Sequence, residues 1–263
     1  MNRILFELGP ITIYWYSVTM LLAVLTGIYL ATQESKKQSM FSFISDLVTY
    51  VIIFGIIGAR LYYVIFNFDN YKHNLLSIFK IWEGGIAIYG AIIGGLLAIV
   101  YLARKREQSI IKTTDIIVPG LILAQSIGRW GNFFNGEAHG TEVSLEYLEK
   151  LHLPNFIIEG MHIDGTYYHP TFLYESIWCL LGFIILIIIR KLTKRKDGIM
   201  TFSYFIWYGI GRLFIEGLRT DSLYLGSFRI SQLVSLFLII TGIIGIIISI
   251  LKGKKKWNNI TMQ

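Results

Sequence analysis

The chain is organised around one stretch in its middle, which reads Gly128-Arg129-Trp130-Gly131-Asn132-Phe133-Phe134-Asn135-Gly136-Glu137-Ala138-His139-Gly140. It begins inside an apolar run, yet within ten residues it holds an arginine, two asparagines and a glutamate. A charge at the centre of a bilayer costs at least about 2.5–3.5 kcal/mol, so charged residues in membrane spans are rare and usually functional. In a helix, Arg129, Asn132 and Glu137 fall near one face, with Gly136 beside them. The stretch predicts a functional membrane helix; the alternative is a buried polar cluster that only joins helices.

Composition sets the class of protein. Of the 263 residues 54% are hydrophobic and 16% are charged, and apolar runs long enough to cross a bilayer recur. The one cysteine, Cys179, lies in such a run, so no disulfide framework is expected. We predict an all-α integral membrane protein, a bundle of seven transmembrane helices forming a single domain over residues 1–263. The spans are expected at about 11–32, 43–66, 86–103, 116–134, 171–189, 199–217 and 229–251, with a small extracytoplasmic cap at 137–170.

The distribution of lysine and arginine predicts the orientation. Fifteen of these residues lie on one side of the spans, in segments 36–37, 104–112, 190–196 and 252–256, and six lie on the other. The positive-inside rule then places the N-terminus outside and the C-terminus in the cytoplasm. Basic residues in short loops set orientation instead of forming a nucleic-acid-binding face, so no nucleic acid is expected as a partner. The 252–256 cluster is typical of an interfacial anchor that contacts membrane lipid.

Three arginines lie inside predicted spans. Measured from the cytoplasmic ends, Arg129 and Arg212 lie at about 21 Å and Arg60 at about 24 Å, in a hydrocarbon core about 30 Å thick. All three are therefore expected in the outer half of the bilayer. A phospholipid phosphate is the obvious anion for such a cluster, because arginine binds phosphate bidentately. The alternative is that each arginine reaches the interface or pairs with a nearby acid, and for Arg60 the two interpretations stand level.

Span 6 carries a second polar face, made by Tyr208, Arg212, Glu216 and Arg219. Function is favoured for Arg212 because further polar groups accompany it and because Arg before Glu is the weaker order for an i,i+4 pair; an ion pair within the helix is the alternative.

In span 3 a stripe of small residues predicts close helix packing; it consists of Ala87, Ala91, Gly94, Gly95 and Ala98. Tyr89 in this span, and Tyr14, Trp15 and Tyr16 in span 1, fit either an interfacial aromatic belt or catalysis.

Further local features are predicted at the ends of spans. Span 4 is expected to begin near Asp115, a helix cap, with Pro119 close behind. Residues 144–152 are expected to form an amphipathic helix lying on the membrane, with Leu145, Leu148 and Leu151 facing the lipid. Asp164-Gly165 is typical of a hairpin turn. Segment 137–170 holds four of the five histidines, but no paired metal-ligand spacing appears, so no metal site is predicted.

The stretch 128–140 resembles the signature G-R-x-G-N-F-x-N-x-E-x-x-G of the bacterial prolipoprotein diacylglyceryl transferases. Supporting matches follow in the family's order: Trp15-Tyr16, Trp82-x-Gly84-Gly85 with Gly90, His169-Pro170-Thr171 with Tyr174-Glu175, and Tyr208 to Arg219. The resemblance covers essentially all seven spans. It implies transfer of the diacylglyceryl group of phosphatidylglycerol to the lipobox cysteine of a prolipoprotein signal peptide, which forms a thioether and releases glycerol phosphate. It also implies the bacterial cytoplasmic membrane, with the active site in the outer-leaflet half.

The resemblance, together with the chemistry, assigns roles to residues. Arg129 is expected to grip the phosphate and Asn132 to orient it, because the departing phosphate needs its charge stabilised by fixed donors. Arg212 is expected to be a second clamp, or to gate lipid entry with Glu216. The expected catalytic residues are Arg129, Asn132, Glu137, Tyr89, Arg212 and Glu216. The expected substrate-binding residues are Arg129, Asn132, Gly140, Tyr16, Tyr208, Arg212 and Arg219. No metal or diffusible cofactor is required.

The base that activates the thiol is not decided by the sequence. A thiol with a pKa of about 8.5 must lose its proton to attack carbon, and many family members carry histidine at the position of Tyr89. Tyr89 with a lowered pKa, Glu137, or a substrate thiol acidified by the arginines could each meet this need. An orienting role is favoured for Tyr89.

Two functions of other classes compete with the transferase. In a transporter, the arginines would line an anion path, but such a path should carry polar groups through both leaflets, often with internal repeats. Here the polar groups cluster on one side and no repeat is visible. A lipid-binding scaffold without chemistry uses similar residues, so only an activity measurement separates it from the enzyme.

Overall fold

The computed structural model describes residues 3–9, 11–193, 196–220, 224–226 and 228–261. The chain forms two compact units, one of residues 1–30 together with 117–263 and one of residues 31–116. Lys194 and Arg195, which belong to the basic set used for the orientation, lie outside the described residues, as do the side chains of 253–261.

Helices account for most of the described chain. They are α1 (Trp15–Lys37), α2 (Phe41–Phe66), α3 (Ile88–Lys105), α4 (Ile110–Asn135), α5 (Leu145–Lys150), α6 (Asn155–Gly160), α7 (Thr171–Leu192), α8 (Ile199–Ile215) and α9 (Ile230–Thr261). Among the described residues six helices are long and apolar enough to cross a membrane: α1, α2, α3, α4, α7 and α9. The chain is therefore a multi-pass, all-α membrane protein. The predicted sixth span corresponds to α8, which has 17 residues and is shorter than these six.

Short strands lie between the helices. Strands β1 (Ile4–Leu8) and β2 (Ile11–Tyr14) form an antiparallel hairpin, so Tyr14 is not part of the first span as predicted, and α1 begins at Trp15. Strands β3 (Glu142–Val143), β4 (His162–Ile163) and β5 (Thr166–Tyr168) form a three-stranded sheet in the order β3-β5-β4. The strands β6 (Tyr224–Leu225) and β7 (Phe228–Arg229) form a last pair.

The turn between β4 and β5 confirms the predicted hairpin. Asp164 and Gly165 both have positive φ, 49° and 86°. These are the angles that a two-residue turn with a right-handed strand twist requires, and they explain the Asp-Gly pair.

In the unit of residues 31–116, α2 and α3 pack with their backbones in contact. A Cβ added to Gly90 or Gly94 would collide with the carbonyl oxygens of Gly58 and Phe54. Two of the glycines in α3 are therefore needed for packing; this confirms close packing for Gly94 of the predicted stripe, and Gly90, which is outside the stripe, also takes part.

Arg60 has a structural role in the same unit. Its guanidinium donates to the backbone carbonyls of Ile78 (2.7 Å), Gly84 (2.7 Å), Gly85 (2.8 Å) and Ser77 (2.8 Å), and its side chain is buried. These acceptors belong to the segment between α2 and α3. Arg60 therefore organises that segment, and the suggestion that it shares an anion with the other arginines is wrong for this residue because its donors are occupied.

Two predicted helices have different bounds from those expected. Helix α4 begins at Ile110, so Asp115 lies inside the helix and is buried instead of capping it, and Pro119 lies within the helix. The amphipathic helix predicted over 144–152 is the shorter α5, with Ser144 as its N-cap.

One leucine predicted to face the membrane is part of a small core. Leu148 of α5 is fully buried with Phe133 of α4, Ile157, Met161 and Phe172. Packing against the end of α4 therefore decides the orientation of α5, and Leu145 and Leu151 remain partly exposed.

Candidate active site

Two reciprocal contacts fix the start of α7 between α4 and α8. Ser126 of α4 and Ser176 of α7 each donate a hydroxyl hydrogen bond to the other's carbonyl oxygen, at 2.8 and 3.0 Å. Trp178 of α7 and Trp207 of α8 stack at 4.3 Å, and each indole N–H donates to the other's carbonyl, at 3.0 and 2.9 Å. Buried polar groups satisfied in this way specify one register between helices. Glu175 is thereby held opposite both α4 and α8.

Glu175 is the centre of a buried ion network. Its Oε2 accepts from Nε of Arg129 at 2.7 Å, and its Oε1 accepts from Nη1 of Arg212 at 2.8 Å and Nη1 of Arg219 at 3.4 Å. The Glu175 side chain is only 5% exposed. A buried carboxylate is tolerated only when it is paired and fully hydrogen-bonded, and three arginines supply that here.

Beyond Glu175, the network continues to a second buried acid. Arg212 also pairs with Glu216, which is buried, and the backbone carbonyl of Glu216 accepts from Arg229. The ion pair between Arg212 and Glu216, which was the alternative interpretation of this face, therefore exists, but it is one part of a larger network. Helix α8 ends at Ile215 and a 3-10 turn over Glu216–Leu218 follows, so Arg219 reaches Glu175 from beyond the helix.

On the other side, Arg129 is connected to Glu137 through Asn132. Nη1 of Arg129 donates to Oδ1 of Asn132 at 3.2 Å, and Nδ2 of Asn132 donates to Oε1 of Glu137 at 2.9 Å. The amide is thus oriented by a donor on one side and an acceptor on the other.

Glu137 reaches Asn132 because α4 stops before it, and the assumption of one continuous helical face is wrong there. Gly136, with φ of 64°, is the first residue beyond the helix. The amide of Gly136 donates to Phe133 O and that of Glu137 to Asn132 O, which is the Schellman pattern of a helix end. The turn brings the Glu137 side chain back over the last turn of α4.

Gly140 occupies a tight crossing of backbones. Its amide donates to His169 O at 3.0 Å and it bridges to Arg219. A Cβ there would lie 2.6 Å from the Cβ of His169 and 3.0 Å from Leu218 O. Burial lowers the pKa of His169, whose ring lies 3.4 Å from the Tyr174 hydroxyl. A side chain does not fit at this crossing beside Arg219, and this explains why position 140 holds a glycine.

An open cavity of about 310 Å³ adjoins Glu137. It is lined by Arg3, Tyr14, Tyr16, Ser17, Asn135 and Glu137. The start of α1 forms one wall because it packs closely on the end of α4: the rings of Trp15 and Phe134 stack at 5.1 Å.

The remaining predicted residues are placed as follows. Tyr208 lies one turn before Arg212, half-buried, with its ring stacked on Tyr204 at 5.6 Å. Tyr89 belongs to the unit of residues 31–116, where it lies in the first turn of α3, is 53% exposed and has its ring 6.2 Å from that of Tyr62. Within the 117–263 part of the chain the structure brings together Arg129, Asn132, Glu137, Arg212, Glu216 and Arg219.

Glu175 was missing from the predicted site. The signal was present, since it is an acid in the first turns of an apolar span and accompanies the His-Pro-Thr motif. Its role depends on contacts with residues 37 to 46 positions away in the chain, which spacing along one helix does not reveal.

Fold and site together define a multi-pass membrane protein with a buried network of arginines and glutamates contributed by α4, α7 and the end of α8. The family model described as prolipoprotein diacylglyceryl transferase matches residues 3–248, and the chain belongs to that family. Among its relatives, the phosphatidylglycerol–prolipoprotein diacylglyceryl transferase of Listeria innocua is 53% identical over 249 residues, 94% of this chain and 89% of that protein. The protein of the same name from Ligilactobacillus salivarius is 50% identical over 247 residues, 93% and 92% of the two chains. The one from Bacillus mycoides is 48% identical over 250 residues, 94% and 92%.

Proposed function

We propose that this chain transfers the diacylglyceryl group of phosphatidylglycerol to the lipobox cysteine of a prolipoprotein signal peptide. Family membership and the names of the relatives support the reaction. A bond forms between the cysteine sulfur and the glyceryl carbon, and the bond from that carbon to the phosphate oxygen breaks. The electron pair leaves with the phosphate as glycerol phosphate, and the thiol proton passes to a base. Written in this way, the reaction needs neither metal nor cofactor.

The phosphate is held by Arg129 and Arg212. The most direct support is that Glu175 holds both side chains. Its carboxylate accepts hydrogen bonds from Nε of Arg129 and Nη1 of Arg212. Within the described part of the chain, Nη2 of Arg129 has no hydrogen-bond partner, and this side chain is 23% exposed. A guanidinium fixed at one edge and free at another is a preorganised donor for a phosphate oxygen.

The other residues of the network position this clamp. Asn132, oriented by Glu137, holds Nη1 of Arg129 and leaves Nη2 free, while Glu216 and Arg219 hold Arg212 and Glu175. Gly140 permits the backbone crossing that carries Arg219. Tyr16 and Tyr208 contact the substrate, in keeping with their places at the cavity and one turn before Arg212.

The base is a protein side chain. The sequence left open that the arginines themselves lower the pKa of the substrate thiol. This alternative is weak because Arg129, Arg212 and Arg219 already pair with carboxylates. Much of their field is therefore neutralised before a substrate arrives. Tyr89 and Glu137 remain as proton acceptors.

The protein crosses the bacterial cytoplasmic membrane seven times, with α8 as the additional span, its N-terminus outside and residues 1–263 acting as one transferase domain. At 1.5 Å per residue, the 17 residues of α8 extend about 25 Å, which is at the short end of the range for a membrane span. Arg129 lies near the end of α4 and Arg212 near the end of α8. In this orientation both ends face outward, and the site lies in the outer half of the bilayer.

The test uses purified protein in liposomes that contain headgroup-labelled phosphatidylglycerol and a lipobox peptide. We expect release of glycerol phosphate together with a diacylglyceryl gain in peptide mass. Arg129→Ala should lower the rate by about 10²–10³-fold, the usual cost of losing a donor to developing charge. Arg106→Ala is the matched control, because that arginine forms an exposed pair with Asp46. Wild-type turnover in Arg129→Ala would contradict the clamp, and absence of release from the wild type would contradict the reaction.

A further inference from the structure

We propose that the cavity beside Glu137 binds the glycerol headgroup of phosphatidylglycerol, and that Ser17, Asn135 and Arg3 give the protein its preference for that headgroup. The inference rests on the proposed function. It adds a polyol-binding pocket, formed by the N-terminal hairpin and the start of α1, to the phosphate clamp.

The size and lining of the cavity suit a small polar ligand. Its volume of about 310 Å³ is at the low end of the range for ligand pockets. The described residues that line it each carry a polar group, and none has a purely aliphatic side chain: Arg3, Tyr14, Tyr16, Ser17, Asn135 and Glu137. Acyl chains or an apolar signal peptide would leave these groups unpaired, whereas a diol can both donate to them and accept from them.

Several of these groups have unused hydrogen-bonding capacity. Among the residues that the structure describes, the hydroxyls of Tyr16 and Ser17, the side-chain amide of Asn135 and the guanidinium of Arg3 have no hydrogen-bond partner. Arg3 and Glu137 carry opposite charges, so the cavity as a whole suits a neutral ligand.

The cavity is connected to the phosphate clamp. Glu137, which lines it, accepts from Asn132, and Asn132 accepts from Arg129. In phosphatidylglycerol one ester bond separates the headgroup from the phosphate. The headgroup of a phosphate on the free edge of Arg129 would therefore lie within one bond of that edge, and this cavity shares Glu137 with the network.

The position of Glu137 in the cavity helps to decide which group accepts the thiol proton. In a displacement at carbon the thiolate attacks from the side opposite the departing oxygen. Glu137 lines the headgroup cavity and is thus on the side of the leaving group. This disfavours Glu137 as the acceptor of the thiol proton.

The experiment compares two lipids that share the diacylglyceryl group and the negative phosphodiester, phosphatidylglycerol and phosphatidylethanol. Transfer to the lipobox peptide is measured for each. We expect the wild type to prefer phosphatidylglycerol. Ser17→Ala and Asn135→Ala should each lower the rate with phosphatidylglycerol by about 3- to 10-fold, the usual cost of a lost hydrogen bond, and leave phosphatidylethanol unaffected.

The ratio of the two rates separates recognition from structure, because a variant that merely misfolds loses activity with both lipids. Ser42→Ala, an exposed serine in the first turn of α2, is the matched control and should keep the wild-type ratio. An unchanged ratio in both cavity variants, or equal wild-type rates with both lipids, overturns the headgroup pocket and leaves the transferase intact. A wild type that transfers from neither lipid overturns both proposals.

Discussion

Each oxygen of the Glu175 carboxylate accepts from a different arginine, so this one side chain couples the donors of α4 to those of α8. Glu175→Gln keeps the shape and removes the charge. Removing one member of a buried ion pair costs about 3–5 kcal/mol, because the partners are left uncompensated. Displaced arginines should also lower the transfer rate by about 10²-fold, the cost of misplacing a substrate by about 1 Å.

Thermal unfolding and transfer rate measured on the same preparation check this prediction. Glu146→Gln is the control: it breaks an exposed pair with Lys150 and should change stability by no more than about 0.5 kcal/mol. A Glu175→Gln protein as stable and active as the wild type would show that the network does not depend on its centre.

Substitutions of Tyr89 test which group accepts the thiol proton. If its phenol accepts the thiol proton, Tyr89→Phe should remove most activity, since phenylalanine cannot accept a proton. Tyr89→His should keep activity, because imidazole is the better base near neutral pH. The measurement is the transfer rate as a function of pH for both variants. Equal rates for Tyr89→Phe and the wild type exclude the phenol as the base.

For single residues, the sequence predicted which side chains matter better than it predicted the groups that they contact. The cost of placing a charge in a membrane singled out Arg129 and Arg212, and both belong to the network. The same reasoning could not distinguish Arg60, whose acceptors are backbone carbonyls of a segment with irregular structure. Carbonyls are present in every sequence, so their convergence on one guanidinium leaves no compositional signal.

Among the elements, the crossing of segment 138–141 with the segment after α8 is tightly packed. Gly140→Ala would place a methyl group 2.6 Å from the Cβ of His169, so one backbone must move. We expect a loss of about 1–3 kcal/mol, typical of overpacking, and a lower transfer rate because the backbone of Arg219, which bridges to Gly140, moves as well. Thermal unfolding and the transfer assay measure the two effects.

The control for Gly140 is a glycine inside a helix, at a position where an added methyl group has room. A Cβ on Gly95 of α3 would meet only Val51 Cγ1, at 3.7 Å. Gly95→Ala should therefore be neutral or slightly stabilising, because alanine favours the helix. If both substitutions behave alike, crowding does not explain Gly140.

The long helices were predictable because apolar length is a strong signal, and their ends were less so. Residues 11–14 are apolar enough to extend the first span, yet pairing with Ile4–Leu8 takes them into a hairpin. Asp115 has the residue type of a cap, but the helix continues for a further five residues before it. Pairing between segments decides both boundaries, and local propensity does not include it.

For the whole molecule, the proposed orientation predicts which surfaces react from outside the cell. In a Cys179→Ala background, a cysteine replacing Glu149, which is exposed on α5, should react with an impermeant maleimide added to intact cells. A cysteine replacing Lys191, exposed at the end of α7, should react only after permeabilisation. The reverse pattern would mean that the positive-inside count gives the wrong orientation.

The contacts of Arg60 carry a consequence for biogenesis. Every carbonyl that this arginine binds lies 17 to 25 residues later in the chain. While α2 emerges from the ribosome its charge has no acceptor, and an uncompensated arginine opposes partitioning into lipid. The acceptors arrive only with the segment that leads into α3, whose glycines fit against α2. Helices α2 and α3 should therefore leave the translocon together, as a hairpin assembled before it is released into the bilayer.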